Sequence, residues 1–464
     1  MGGFFLQEED NQSDGNDATS EGIFIYEGTS NTTTDVKLGD LVRVTGLVGL
    51  YQGQNQITAR SINVISSGNT VPSRATIIFP KSSMELRAYE GMHVVISATM
   101  TITDMYNLGR YGEIRLSAKD RMYSYTQVNA PRNATGYAAH MNEINLNSMT
   151  YENGLFTQNS DVSLLDGFGP VYSTATSPRM GDTAVGLAGI LQYSSNKWKI
   201  RSTYDAQNTF NKTNLRPLAP PDVFGGKQGV KIASLNVLNM FNTLAKDGNT
   251  AGPPPGVEPR GANSEEEYIR QLDKLSTIIS LLDADLLGML ELENDFGAVK
   301  GDNCTLKTVV EAVNAKVGAG TYDYVWPGGR YVDPGDAISV GMMYKPAVFS
   351  LVGSVGILTD SNLPAGAPAK PIFEGVNTNR ASMAASFTHG GECVTVAANH
   401  FKSKSGTGTG TGNTDKKDGA GSWNKRRLDA ATAVTMWMDT VPTGYNCSNT
   451  LLLGDLNACK LLVV

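Results

Sequence analysis

No apolar run in this chain reaches the roughly 18 to 20 residues that a membrane-crossing helix requires. The opening Met1-Gly-Gly-Phe-Phe-Leu runs into acidic residues, without the basic start and cleavage site of a secretory leader. Cysteine is scarce: Cys304, Cys393, Cys447 and Cys459 are too few for a disulfide scaffold, leave three pairings open and by themselves fix no compartment. Positive charge is not in excess either. With a net charge of -7 and a pI near 5.3, bulk attraction to nucleic acid is excluded, so any phosphate recognition must come from a local basic site or a metal ion.

What is present is a chain of 464 residues, 40% hydrophobic and 18% charged, long enough for at least two packed cores. Its 50 glycines point to turns between many strands. The first half carries short period-two runs, among them "GIFIYEG", "DLVRVTGLVGLY", "HVVISATMTITDMY" and "KWKIRST", which predict an all-β region to about residue 215. The Pro- and Gly-rich stretch "NLRPLAPPDVFGGKQG" is the candidate linker. Beyond it the texture alternates. A strand "VKIASLNVLNMF" and a polar Pro-rich loop precede a helix over about 264–282, with Ser264 and Glu267 as a capping box. Tyr268, Leu272, Leu275, Ile278, Ile279 and Leu282 form its apolar stripe. Strands "DLLGMLELEN" and "SVGMMYKP", helices over about 306–317 and 423–438, and a last strand "LLLGDLN" continue the alternation and predict an α/β sandwich.

Four strands end in groups suited to phosphate chemistry: Asn236, Glu291, Asn399-His400, and Asp455 with Asn457. Carboxylate, amide and imidazole at one sheet edge could hold a hard divalent cation and place an acid or base beside it. Singly, each also fits a blander role: a carboxylate leaving a buried strand, a hydrogen-bonded structural histidine, or a turn residue. Glu293 complicates Glu291, because regular alternation puts both on one face and only one of them need be a ligand.

Taken in order, "IASLNVLNMFNT", "PRGANSEEEYIRQLDKLSTIISLLDADLLGMLELEN", "DAISVGMMYKP", "AANHFKSKSG", "GSWNKRRLDAA" and "LLLGDLNA" resemble the endonuclease/exonuclease/phosphatase superfamily, the deoxyribonuclease I-like enzymes. The likeness is to multi-domain bacterial extracellular nucleases. "ATSEGIFIYEG" and "LGDLVRVTGLVGLYQGQNQIT" resemble their OB-fold segment. The resemblance implies an α+β chain: a partial OB-fold over 1–70, a β-rich domain over 71–215 for which a second OB-like fold is one reading, a linker over 216–229, and a four-layer sandwich over 230–464, incomplete at its C-terminus. Phe24, Tyr26 and Tyr51 are then either base-stacking groups or barrel packing.

The activity implied is metal-assisted phosphodiester hydrolysis of nucleic acid, DNA ahead of RNA. Glu291 and Asn236 would hold Mg²⁺ or Mn²⁺, with Ca²⁺ a further candidate; His400, Asp455 and Asn457 would be catalytic; Arg380, Asn399 and Lys402 would contact substrate. Asp336 would orient His400. The Gly- and Thr-rich loop from Lys402 onward would follow a phosphate backbone without a fixed shape. The family implies an extracellular or periplasmic location. The chain ends at Val464, before the family's closing Asp-His pair, which leads us to expect a fragment of low solubility and little activity. A phospholipid or inositol-phosphate esterase and an inactive nucleic-acid-binding fragment are the alternatives.

Overall fold

The structure is a computed structural model that describes residues 2–28, 35–155, 158–159, 176–203, 208–217, 219–222, 229–244, 257–331 and 336–459. Much of the linker expected over 216–229 and all of the Pro-rich stretch 245–256 lie outside the described residues. Two compact units divide the chain: Met1–Ser124 with Ala138–Arg216, and Tyr125–Tyr137 with Pro217–Val464.

In the first unit, strands Gly3–Gln7, Gly22–Tyr26, Gln54–Ser66 and Leu41–Tyr51 form a four-stranded sheet in that spatial order. Among the described residues no pairing joins its two edge strands, and the sheet has four strands where an OB-fold has five. Phe24 is buried and its ring lies 5.1 Å from Phe5, whereas Tyr51 is 61% exposed. An eight-stranded sheet over residues 75–201 holds a core of Ile77, Ile96, Met100, Leu116, Tyr151 and Leu191. The all-β expectation is corrected by a helix at Ala134–Leu146.

The second unit is a layered sandwich. Strands β1 (Ile232–Met240), β2 (Leu286–Glu293), β3 (Asp323–Tyr324) and β4 (Ile338–Tyr344) make one sheet, ordered β1-β2-β4-β3. Strands β5 (Ser350–Leu358), β6 (Ser382–His389), β7 (Glu392–His400) and β8 (Asn449–Asp455) make the other, in sequence order. Met342, Met383, Phe387, Val396 and Ala398 fill the space between them, where Gly288 lets Leu453 approach. Helices α1 (Glu265–Leu282) and α2 (Thr305–Val317) contribute Leu275, Ile279, Leu306, Val309 and Val313 to the same cluster. Helix α3 (Asn424–Met438) covers the second sheet with Ala430, Ala433, Val434 and Trp437, which meet Ala384 and Ala397. The result is helix, sheet, sheet, helix.

Local details differ from expectation where a neighbour competes. Ser264 caps α1 by accepting the N–H of Glu267 at 3.2 Å, but the Glu267 carboxylate accepts from Asn263 N–H at 2.8 Å, so the reciprocal half of the box is displaced by one residue. Ile278 is 43% exposed and lies off the stripe that buries Leu275 and Ile279. Cys393 and Cys447 form a disulfide, while Cys304 and Cys459 are free thiols.

Candidate active site

The first half of the site is made by two adjoining bulges. Strand β1 runs parallel to β2 from Ile232 opposite Leu286 to Asn236 opposite Leu290, and pairing resumes only at Met240 opposite Leu292. The β2–β4 ladder slips at the same place, between Leu290 and Leu292. Glu291 is therefore the extra residue, held with φ 68°, and Leu238 and Asn239 are also left-handed at 56° and 53°. Each non-glycine residue so held costs on the order of 1 kcal/mol, a strain that collects where a side chain must be re-aimed.

The bulges explain why Glu291 and Glu293 have different partners despite their spacing. Glu291 accepts from Asn236 Nδ2 at 2.9 Å and from Asn239 N–H at 3.1 Å. Glu293 is buried and accepts from Asn242 N–H, Thr243 N–H and Oγ1, and Thr305 Oγ1.

The second half comes from the parallel ends of β7 and β8. Period-two alternation sends Val396 and Ala398 into the core between the sheets, and His400 follows them. Leu451 and Leu453 of β8 pack on that core, with Asp455 next in phase. His400 and Asp455 are register partners. Asn236 Nδ2 also donates to Asp455 Oδ2 at 3.2 Å, so one amide bridges carboxylates of two sheets. His400 Nε2 lies 3.8 Å from Glu291 Oε1 and 4.0 Å from Asp455 Oδ2.

Burial, and then the Arg380 cation, push the His400 pKa down to about 4 against the opposing pull of Asp455 and Asp336. The imidazole is neutral near pH 7. Its Nδ1 has no hydrogen-bond partner among the described residues.

Glu291, Asn236, His400 and Asp455 are thus brought together. Asn457 sits beside them: its N–H donates to Asp455 Oδ1 at 2.8 Å and its Nδ2 to the Phe401 carbonyl at 2.9 Å. Arg380 and Lys402 line a neighbouring pocket of ≈ 370 Å³. Three placements differ from expectation. Asn399 is fully buried on the opposite side of β7 from His400 and donates to the carbonyls of Ala397 and Leu453, so it cannot touch substrate. Asp336 does not bond His400; its carboxylate joins Arg260 at 2.8 Å and Arg380 at 3.0 Å. Asn236 offers its N–H₂ end to the carboxylates while its Oδ1 accepts Leu238 N–H at 2.9 Å, so in this arrangement it bridges Glu291 and Asp455.

The loop after Lys402 is organised. Arg427, fully buried on α3, donates to the carbonyls of Lys402, Ser422 and Ala420 at 2.9 to 3.1 Å. Trp423 donates from Nε1 to Ser405 O and from N to Asn413 O.

Sequence reasoning missed Arg427, Arg260 and Asp295. Arg427 looked like one more charge in "NKRR", and Arg260 lay within a matched segment without a visible partner. Asp295 accepts from Thr305 N–H and Oγ1, and its pKa is raised to about 7 by burial and by Glu293. Its spacing from Glu293 was the available signal.

As for a metal, the described residues contain no group of three or more His, Cys, Asp or Glu side chains arranged to hold one. The two partly exposed carboxylates of Glu291 and Asp455 are nonetheless hard oxygen donors converging on one amide, which fits Mg²⁺ or Mn²⁺ retaining several waters.

No protein-family model matches this chain, and no curated protein matches it. Among solved structures, an endonuclease/exonuclease/phosphatase family protein from Bacteroides thetaiotaomicron is 16% identical, covering 49% of this chain and 63% of that one, with a TM-score of 0.29. One from Bacteroides vulgatus is 13% identical over 50% of this chain and 67% of that one, with a TM-score of 0.28. TDP2 of D. rerio, in a complex with single-strand DNA product, is 11% identical over 49% of this chain and 60% of that one, with a TM-score of 0.26. The chain spans less than two thirds of the length of the first and third of these structures. Its likeness, over about half of its residues, is to solved structures of the endonuclease/exonuclease/phosphatase family.

Proposed function

We propose that this chain hydrolyses phosphodiesters of nucleic acid with the help of Mg²⁺ or Mn²⁺, DNA ahead of RNA, as an extracellular or periplasmic nuclease. The observation that carries the proposal is the Asn236 bridge, which joins Glu291 to Asp455 within 4.0 Å of a buried neutral imidazole. A cation held by Glu291 and Asp455 would polarise a phosphoryl oxygen and offset charge in the transition state. Asn236 keeps the two carboxylates in register. Asp455, open to solvent on one side, would orient an attacking water. His400, uncharged, can donate from Nε2 to a phosphoryl oxygen.

Nucleic acid is favoured by the basic groups Arg260, Arg380 and Lys402 lining one pocket of a chain whose net charge is -7. The Cys393–Cys447 pair supports an oxidising compartment. The test is relaxation of supercoiled plasmid with Mg²⁺ or Mn²⁺, reversed by chelation and lost in His400→Ala. Turnover of a phospholipid or inositol phosphate without cutting of DNA or RNA would overturn the substrate class.

A further inference from the structure

The pocket next to His400 is lined by none of Glu291, Asn236, Asp455 and His400, and so adjoins the place where a phosphodiester would be cut. It is coupled to that place by backbone: Arg380 N–H donates to the His400 carbonyl at 3.1 Å, and Lys402 follows His400 by two residues. Three cations face it, Arg260, Arg380 and Lys402, against Asp336 and Glu374. Asp336 is already occupied, one carboxylate oxygen on each guanidinium.

That pairing leaves further donors of both guanidiniums uncommitted. Arg380 is only 15% exposed, and its buried Nε has no hydrogen-bond partner among the described residues. A fork of this kind matches a tetrahedral oxyanion, and ion pairing to the one Asp336 carboxylate keeps the two guanidiniums side by side. The pocket walls are tied to the surrounding fold by hydrogen bonds. Buried Asp360 accepts the N–H groups of Ile372 and Phe373 at 2.9 to 3.0 Å, and Asn379 Oδ1 accepts Lys402 N–H at 2.9 Å. Asn294 Nδ2 ties the carbonyls of Tyr331 and Asp336 together at 3.3 and 3.2 Å. A volume of ≈ 370 Å³ is in the range of sites that enclose small ligands.

We propose that this pocket is a subsite for a second phosphate of the substrate, the one next along the chain from the phosphodiester being cut, with Asp336 as the positioning residue of the Arg260–Arg380 clamp. The inference rests on the phosphodiesterase reading. It makes the enzyme prefer substrates with at least two phosphates over isolated diesters.

The experiment compares kcat/KM for the dinucleotide pTpT and for bis(p-nitrophenyl) phosphate, which has one phosphate, in wild type, Arg260→Ala, Arg260→Lys and Asp336→Asn. In Arg260→Ala the ratio of the two constants should fall about tenfold, the worth of one charge-assisted hydrogen bond. The fall should appear mainly in KM for pTpT, with Arg260→Lys intermediate. Asp336→Asn should shift KM the same way. An equal fall on both substrates, or none on either, overturns the subsite. Calorimetric titration with pTp separates the two readings. Binding by wild type that is lost in Arg260→Ala supports the clamp even if nothing is hydrolysed, whereas absent turnover of either diester overturns the phosphodiesterase reading. Failure of wild type to bind pTp overturns the clamp whatever the turnover.

Discussion

His400 and Asp455 face each other as register partners at the end of a parallel ladder, with the imidazole Nε2 4.0 Å from the carboxylate Oδ2. That gap is too long for a direct hydrogen bond and leaves both groups available to a third atom. Replacing His400 by Ala should lower kcat for plasmid cleavage by roughly 10²- to 10⁴-fold, the usual worth of a positioned acid or base. Binding of uncleaved DNA, followed by fluorescence anisotropy, should change little. A variant that keeps more than a tenth of the wild-type rate would remove the imidazole from the chemistry.

Glu291 sits at φ 68°, where a side chain with a Cβ is strained. Two variants separate the backbone from the carboxylate. Both Glu291→Ala and Glu291→Gly lose the hydrogen bonds from Asn236 and Asn239 and should lose activity together. The glycine variant should be the more stable of the two by about 1 kcal/mol in urea unfolding, because only it relieves the left-handed residue. Equal stabilities would mean that the bulge carries no strain.

That bulge also marks how far the site could be read from sequence. The alternation of strands with helices α1, α2 and α3 follows from hydrophobic period, and strand ends together with the family resemblance pointed to Asn236, Glu291, His400 and Asp455. The distinct roles of Glu291 and Glu293 do not, because alternation assumes an unbroken strand and a single inserted residue breaks it. Asn399 shows the converse. Strict alternation holds in β7, so the residue before a core-facing histidine must turn to the helix side, and adjacency in sequence was misleading. The helix Ala134–Leu146 buries none of its residues, so no apolar stripe announced it.

Asp295 gives the fold a pH dependence of definite sign. Its folded pKa of about 7 lies above the ordinary 3.8, so the native state prefers the protonated acid. The stability tied to this group is fully present below pH 3.8 and is lost as pH rises through about 7. Asp295→Asn should therefore match wild type near pH 4 and exceed it above pH 7, by on the order of 2–4 kcal/mol if Thr305 keeps its acceptor. Urea midpoints measured across that window decide it. A constant difference at every pH would assign the effect to packing.

The Cys393–Cys447 bond closes a loop with a sequence separation of 54 and links the start of β7 to the segment before β8. Chain-entropy arithmetic places its contribution near 4 kcal/mol. Reduction, or the double variant Cys393→Ala with Cys447→Ala, should lower the melting temperature of the second unit by several degrees. Both treatments should agree. Cys304 and Cys459 should titrate as free thiols in the unfolded oxidised protein.

Arg427 is a cation with no exposed surface whose two Nη groups donate to three backbone carbonyls, those of Lys402, Ser422 and Ala420. Burial pulls its pKa down to about 10, still well above neutrality, so the charge stays. The three acceptors lie on both shoulders of the glycine-rich loop, and the guanidinium is what closes it. Arg427→Met keeps much of the volume but orphans three carbonyls, at a cost of roughly 1–3 kcal/mol for each one left dry. Arg427→Lys should rescue little, because a point charge cannot span the geometry of a planar fork. In both variants, limited proteolysis should open the segment between Lys404 and Lys417, and KM for DNA should rise because Lys402 loses one of its two backbone anchors, keeping only Asn379 on its N–H. Protection from proteolysis equal to wild type in Arg427→Met would show that Trp423 and Asn413 suffice to hold the loop.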